Sequence, residues 1–193
     1  MRKPWGVLTA FLLCIPSIPD VQGDSASTVS RGPLSIESIV QAYPTPNGLA
    51  QFLRQTFTFK TDEELFGEMD YWQAPEEFLA RRAGDCEDYA LFAQAVLRKQ
   101  GIESHVLSVF GEEGYAHTVC VFRQSGRYQV INQDRVQAYG AKTLETLAWQ
   151  LYRGWTYGAL SRLMGTRGET IRIFRNPSPS SARWQSDPLF SFP

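Results

Sequence analysis

The chain of 193 residues is poor in the residues that staple small folds or build metal centres, with only 3 Cys and 2 His. A structural zinc site of four N/S ligands would consume nearly all of them, and their spacing is wrong for one. The same scarcity excludes a disulfide scaffold. Charge of one sign is lacking too: 19 Lys+Arg stand against 20 Asp+Glu. Such a balance provides no basic field, so nucleic acid is excluded as a partner. No apolar run approaches the ~20 residues that a membrane-spanning helix needs. What is present is a globular mixture, 43% hydrophobic and 20% charged. Aromatics reach 13%, enough bulky material for one core.

The N-terminus reads as a leader. Met1-Arg2-Lys3 is a short positive start, and Trp5 to Ile15 is an apolar stretch of signal-peptide length. Small residues around Val21-Gln22-Gly23 and Asp24-Ser25-Ala26 offer cleavage points. Leu13, which is not small, precedes Cys14, a poor fit to a lipid-anchoring cysteine. The expected organisation is a signal peptide over 1–26, one domain over 27–175, and a disordered tail over 176–193. The expected location is secreted or periplasmic, with no stable membrane insertion after cleavage.

Within the domain the first half is helical. Apolar periodicity marks helices over Leu34–Tyr43 and Gly48–Phe57. Thr61-Asp62-Glu63-Glu64 is a capping-box pattern, and Pro75-Glu76-Glu77 opens another helix. After Gly101 the pattern changes to Val-, Ile-, Phe- and Tyr-rich strands over Ser104–Phe110, Ala116–Phe122 and Arg127–Asn132. Thr143–Tyr152 reads as helix and Glu169–Phe174 as a last strand. Helices followed by a meander give an α+β class.

The helix of greatest interest opens at Gly84-Asp85-Cys86-Glu87-Asp88. Asp85 is a good N-cap, and Asp88 can reach back as in a capping box. Tyr89, Ala90, Ala93, Val96 and Leu97 form its buried stripe. Cys86 therefore sits at the positive end of a core helix, where free backbone N–H groups favour a thiolate. An inert cysteine at a helix start is the plainer reading. His117, opening an apolar strand, supplies the imidazole that a Cys–His enzyme needs. A two-residue turn at Ser125-Gly126 would set Asp134 opposite His117, with Asn132 one pair away on the same face. A three-residue turn would shift this register by one. Asp134 is preferred as the group orienting the ring, and Asn132 is the alternative. Cys120, three residues beyond His117, points to the opposite face and reads as core. His105 reads as structural, and Trp149 and Trp155 read as core.

The runs Trp72-Gln73-Ala74-Pro75-Glu76-Glu77-Phe78-Leu79 and Gly84-Asp85-Cys86-Glu87-Asp88-Tyr89-Ala90 resemble the bacterial transglutaminase-like cysteine peptidases. The resemblance covers about residues 60 to 135. It implies a papain/transglutaminase-like fold, with N-terminal helices and a central nucleophile helix packed on an antiparallel sheet. It also implies a Cys-His-Asp triad, for which Cys86 and His117 match. Family members often read apolar-apolar-Asp at the strand end, where this chain has Val130-Ile131-Asn132. Trp72 is a candidate oxyanion donor through its indole N–H, although packing is the plainer role for an aromatic before a helix. The exported, biofilm-related members suggest calcium at Asp85 and Glu87, although no cofactor is required by the chemistry and an N-cap beside a solvated acid explains both. The implied activity is acyl transfer to water on a protein or peptide substrate. A crosslinking transglutaminase, or a non-catalytic peptide- or glycan-binding module, are the alternatives.

Overall fold

The computed structural model describes residues 34–177; the expected leader and most of the expected tail lie outside them. Six α-helices occur among the described residues: α1 (Ile36–Ala42), α2 (Pro46–Thr56), α3 (Asp62–Phe66), α4 (Pro75–Arg81), α5 (Cys86–Lys99) and α6 (Leu144–Leu151). Short strands β1 (Thr58–Phe59) and β2 (Ala83–Gly84) pair in parallel. The main sheet has six strands: β3 (Ser104–Gly111), β4 (Ala116–Gln124), β5 (Arg127–Asn132), β6 (Arg135–Ala141), β7 (Trp155–Met164) and β8 (Arg167–Arg175). Their spatial order is β6-β5-β4-β3-β7-β8, and every neighbouring pair is antiparallel. The class is α+β. None of the described helices is long and apolar enough to cross a membrane.

Local chemistry explains the helix starts. Ser35 and Thr45 accept from the N3 amides of α1 and α2, and Pro46 occupies the first turn of α2. Before α3, Thr61 N–H donates to Glu64 Oε2 (2.9 Å) and Glu64 N–H donates back to Thr61 Oγ1 (3.3 Å), the reciprocal box its sequence encodes.

The sheet divides two cores. On one side α1, α2, α4 and α5 cover Val106, Cys120, Phe122 and Ile131, and Phe52, Phe57, Phe78, Tyr89 and Phe92 interlock ring against ring. On the other side α6 covers Leu107, Val109, Val119, Val121 and Val130. Helix α5 buries more than the expected stripe: Leu91, Phe92 and Gln94 are buried as well, as befits a helix surrounded by others.

Several expectations meet a different structure. Ser125-Gly126 does form a two-residue turn, with both φ positive (52° and 73°), and it sets Cys120 opposite Ile131 as the register requires. Strand β5 then stops at Asn132. Gln133 adopts φ 49°, and Asn132 pairs with Arg135 across a second tight turn. Asp134 thus lies in a turn instead of opposite His117. Strands β6 and β7 had no forecast in the sequence. Trp155 is buried, but Trp149 is 47% exposed, with the Arg153 guanidinium 4.7 Å above its ring. Asn176 belongs with the sheet, since its N–H donates to the Thr156 carbonyl (2.9 Å).

Candidate active site

The site forms where the start of α5 meets β4. Gly84 allows the chain to pass close above the helix: a Cβ there would lie 2.1 Å from Asp88 Oδ2. Asp88 is fully buried and acts as a hub. It accepts from Asp85 N–H (3.2 Å), Gln73 N–H (2.8 Å) and Gln73 Nε2 (2.5 Å). Gln73, itself fully buried, also donates to the Ala83 carbonyl and accepts from Arg81 Nε. These bonds tie the segment before α4 to the first turn of α5. Burial raises the Asp88 carboxyl to about 7, opposed by the bonds from Gln73.

Cys86 is the first residue of α5. Its thiol donates to Glu87 Oε2 at 3.1 Å. Burial pushes the thiol pKa well up, and the Glu87 and Asp85 carboxylates push it further; a backbone N–H from Thr118 acts the other way. The helix dipole alone would favour a thiolate, but here the acids and the burial outweigh it. Thr118 follows His117 in β4, so the sulfur lies against the strand that carries the imidazole. His117 is buried, and its Nε2 is 2.9 Å from Asn132 Oδ1. Burial lowers the His117 pKa, and the Asn132 bond opposes that effect.

The residue beside the ring is therefore Asn132. Asp134 is engaged elsewhere: Arg54 Nε donates to its Oδ2 (3.2 Å), Arg54 Nη2 donates to its carbonyl (3.0 Å), and Arg135 Nε lies 3.4 Å from its Oδ1. The physical reason is the Gln133-Asp134 turn, which aims the carboxylate at α2. Trp72 is buried, and its indole N–H donates to Asp70 Oδ1 at 2.9 Å. That bond uses the proton an oxyanion would need. Cys120 is fully buried on the α5 side and faces Ile131, and burial raises its thiol strongly. His105 has Glu103 3.4 Å from its Nε2.

Acidic side chains crowd the same place. Asp62, Asp70 and Glu87 present oxygens within 4.8 Å of one another, and so do Asp62, Asp85 and Asp88. Asp62 accepts from Tyr71 N–H (2.6 Å) through Oδ2, but its Oδ1 is buried without a hydrogen-bond partner, as is Asp85 Oδ1. Burial raises Asp62, and burial followed by Glu87 raises Asp85 to about 9. Orphaned buried carboxylate oxygens converging on one point suit a hard cation; the soft Cys86 sulfur does not belong to such a set. Asp85 and Glu87 stand in the sequence beside Cys86. Asp62 and Asp70 were missed because Asp62 looks like an ordinary first-turn acid of α3, and only the fold returns it to α5.

A family model described as the bacterial transglutaminase-like cysteine proteinases (BTLCP) matches residues 39–143, more than half of the sequence. The chain belongs to this family. Among solved structures, it is similar to calcium-bound LapG of Legionella pneumophila, at 21% identity and a TM-score of 0.44, over 70% of this chain and 77% of that one. EGTA-treated LapG matches at 20% identity and 0.43, over 65% and 70%. A structure titled as a TGase matches at 15% and 0.38, over 51% and 29%. Among curated proteins none matches the chain.

The acid cluster generates a pH dependence of stability. With its pKa raised from 3.8 to about 9, Asp85 keeps its proton in the folded chain where the unfolded chain has lost it. Its contribution is full below the unfolded value and is lost as pH rises toward the folded one. Asp88 behaves alike over the narrower window up to about 7. Chelator-treated protein should melt at a higher temperature near pH 5 than near pH 8. Asp85→Asn should reduce that difference. Thermal unfolding across the range checks it, and a profile that rises with pH would contradict the assignment.

Proposed function

We propose that the chain is an exported thiol peptidase in which Cys86 is the nucleophile, His117 the base and Asn132 the group that orients the ring. The observation that carries this reading is the contact between His117 Nε2 and Asn132 Oδ1 on the strand beside Cys86. Family membership supports a protein substrate and cysteine-protease chemistry.

The chemistry follows from these residues. His117 takes the Cys86 proton as Sγ bonds to the substrate carbonyl carbon. Backbone N–H groups at the start of α5 face the developing oxyanion. The C–N bond then breaks, His117 returns the proton to the leaving amine, and a thioester remains. Water adds to the thioester carbon, giving up a proton to His117. The C–S bond breaks to release the acid, and the thiol recovers its proton. Asn132 keeps the imidazole in place throughout, as in other Cys-His-Asn arrangements.

Calcium fits the cluster, with Asp62, Asp70, Asp85 and Glu87 as the residues that would hold it. Bound there, a divalent cation supplies positive charge beside Cys86 and neutralises the carboxylates that keep the thiol protonated. The LapG structures, one calcium-bound and one EGTA-treated, are compatible with this. Export rests on the Met1-Arg2-Lys3 start and the apolar stretch after it. N-terminal sequencing of protein from its native host should find a chain beginning after residue 23 to 26; a chain that starts at Met1 in a cytosolic fraction would refute export.

The triad is tested by variants assayed with a thiol-directed activity probe and a protein substrate. Cys86→Ala should abolish labelling and turnover. Asn132→Ala should lower turnover on the order of 10²-fold, the scale of losing a base's orientation. Asp134→Ala should act on stability through the lost Arg54 pair and leave turnover nearer to wild type. Greater damage from Asp134→Ala in a folded protein would restore the carboxylate to the triad.

A further inference from the structure

An amide and a carboxylate differ in one respect that matters at position 132. A carboxylate offers an oxygen whichever way it turns. An amide offers oxygen on one side and N–H on the other, so it accepts from a histidine only if something fixes its orientation. Strand β6 provides that group. Asn132 Nδ2 donates to Gln137 Oε1 at 3.2 Å, and the Tyr139 hydroxyl donates to the same oxygen at 3.0 Å. Gln137 pairs with Val130 in the sheet, so it shares the face of Val130 and Asn132 and lies diagonally from Asn132. Tyr139, two residues on, lies on that face and packs against the α6-side core. Four side chains thus form one chain: His117, Asn132, Gln137, Tyr139.

We infer that Gln137 and Tyr139 are positioning residues, which hold the Asn132 oxygen toward His117 and so keep the neutral ring's proton on Nε2. The inference rests on the reading of His117 as the base. Its logic is directional. With Tyr139 donating to Gln137 and Gln137 accepting from Asn132, the Asn132 oxygen receives the proton on Nε2. Nδ1 then carries the lone pair and can take a proton. In the reverse sense Asn132 would donate to Nε2 and the ring proton would sit on Nδ1. Neither nitrogen would then be open to a thiol proton. Only the first sense leaves a working base.

The test reads the ring without requiring turnover. The full chain is labelled with ¹⁵N-histidine and examined by NMR, metal-free and above neutral pH, where the imidazole is neutral. Two histidines give two ring systems, and His105 serves as the internal reference. In the wild type, Nε2 of His117 should resonate as the protonated nitrogen and Nδ1 as the bare one. Gln137→Leu should release the amide and give averaged shifts from both tautomers. Gln137→Glu keeps an acceptor for Asn132 Nδ2 and should retain the single Nε2–H form. Combining Asn132→Asp with Gln137→Leu should restore that form too, because a carboxylate needs no orienting. Rescue in that order is what a merely structural Gln137 would not produce. If Gln137→Leu does not fold, judged by melting and the His105 signals, Tyr139→Phe decides on the same criterion. A wild-type ring protonated on Nδ1, or a folded Gln137→Leu with the wild-type tautomer, would overturn the inference. Turnover that survives Cys86→Ala would sink the triad itself, a failure visible in the assay and not in these spectra.

Discussion

Five carboxylates, those of Asp62, Asp70, Asp85, Glu87 and Asp88, converge on the helix start that also carries the thiol. Nearly everything distinctive about the site answers to that crowding. One of the five is settled by hydrogen bonds: Asp88 takes three, from Asp85 and Gln73, and joins the segment before α4 to α5. The rest are less well placed. Asp62 and Asp85 each keep a buried oxygen without a partner, an arrangement that ordinarily carries a penalty for the ionised form. Protonation relieves it at low pH, and a bound cation would relieve it at higher pH.

The thiol inherits the consequence. A helix N-terminus is a usual means of stabilising a thiolate, yet here burial raises the thiol and Glu87, which accepts from it, reinforces the effect. His117 is held toward its neutral form by burial. Its oriented partner is an amide, which brings no charge to stabilise an imidazolium. Burial favours the uncharged forms of both thiol and imidazole, and on the proposed reading the ion pair that would start acyl transfer waits for a change in the surrounding charge. On the proposed reading the cluster is thus both a cation site and the restraint that the cation releases.

Much of this was legible in the sequence because it is local. The Gly84-Asp85-Cys86 run, the buried stripe of α5, the Thr61–Glu64 box and the Ser125-Gly126 turn each follow from residues a few positions apart. The strand position of His117 was readable in the same way. The identity of its partner was not, because it depended on where β5 ends. A Gln at positive φ is not a turn signal, and one missed turn carries Asp134 from the imidazole to Arg54. The bond from the Trp72 indole to Asp70 was not legible for a different reason, since the place of Asp70 depends on α3 returning to α5. Asp62 and Asp70 are invisible as ligands for the same reason: their spacing from Cys86 follows no short motif, and only tertiary packing brings them near it.

The most direct measurement is the pH dependence of Cys86 alkylation by iodoacetamide on the folded protein, once with calcium and once with a chelator, with Cys120 as the buried control. If the carboxylates restrain the thiol and a cation neutralises them, calcium should move the labelling curve to lower pH, and Asp85→Asn, which can still cap α5, should weaken that response. Superimposable curves with and without calcium would contradict the coupling between the acid cluster and the Cys86 thiol.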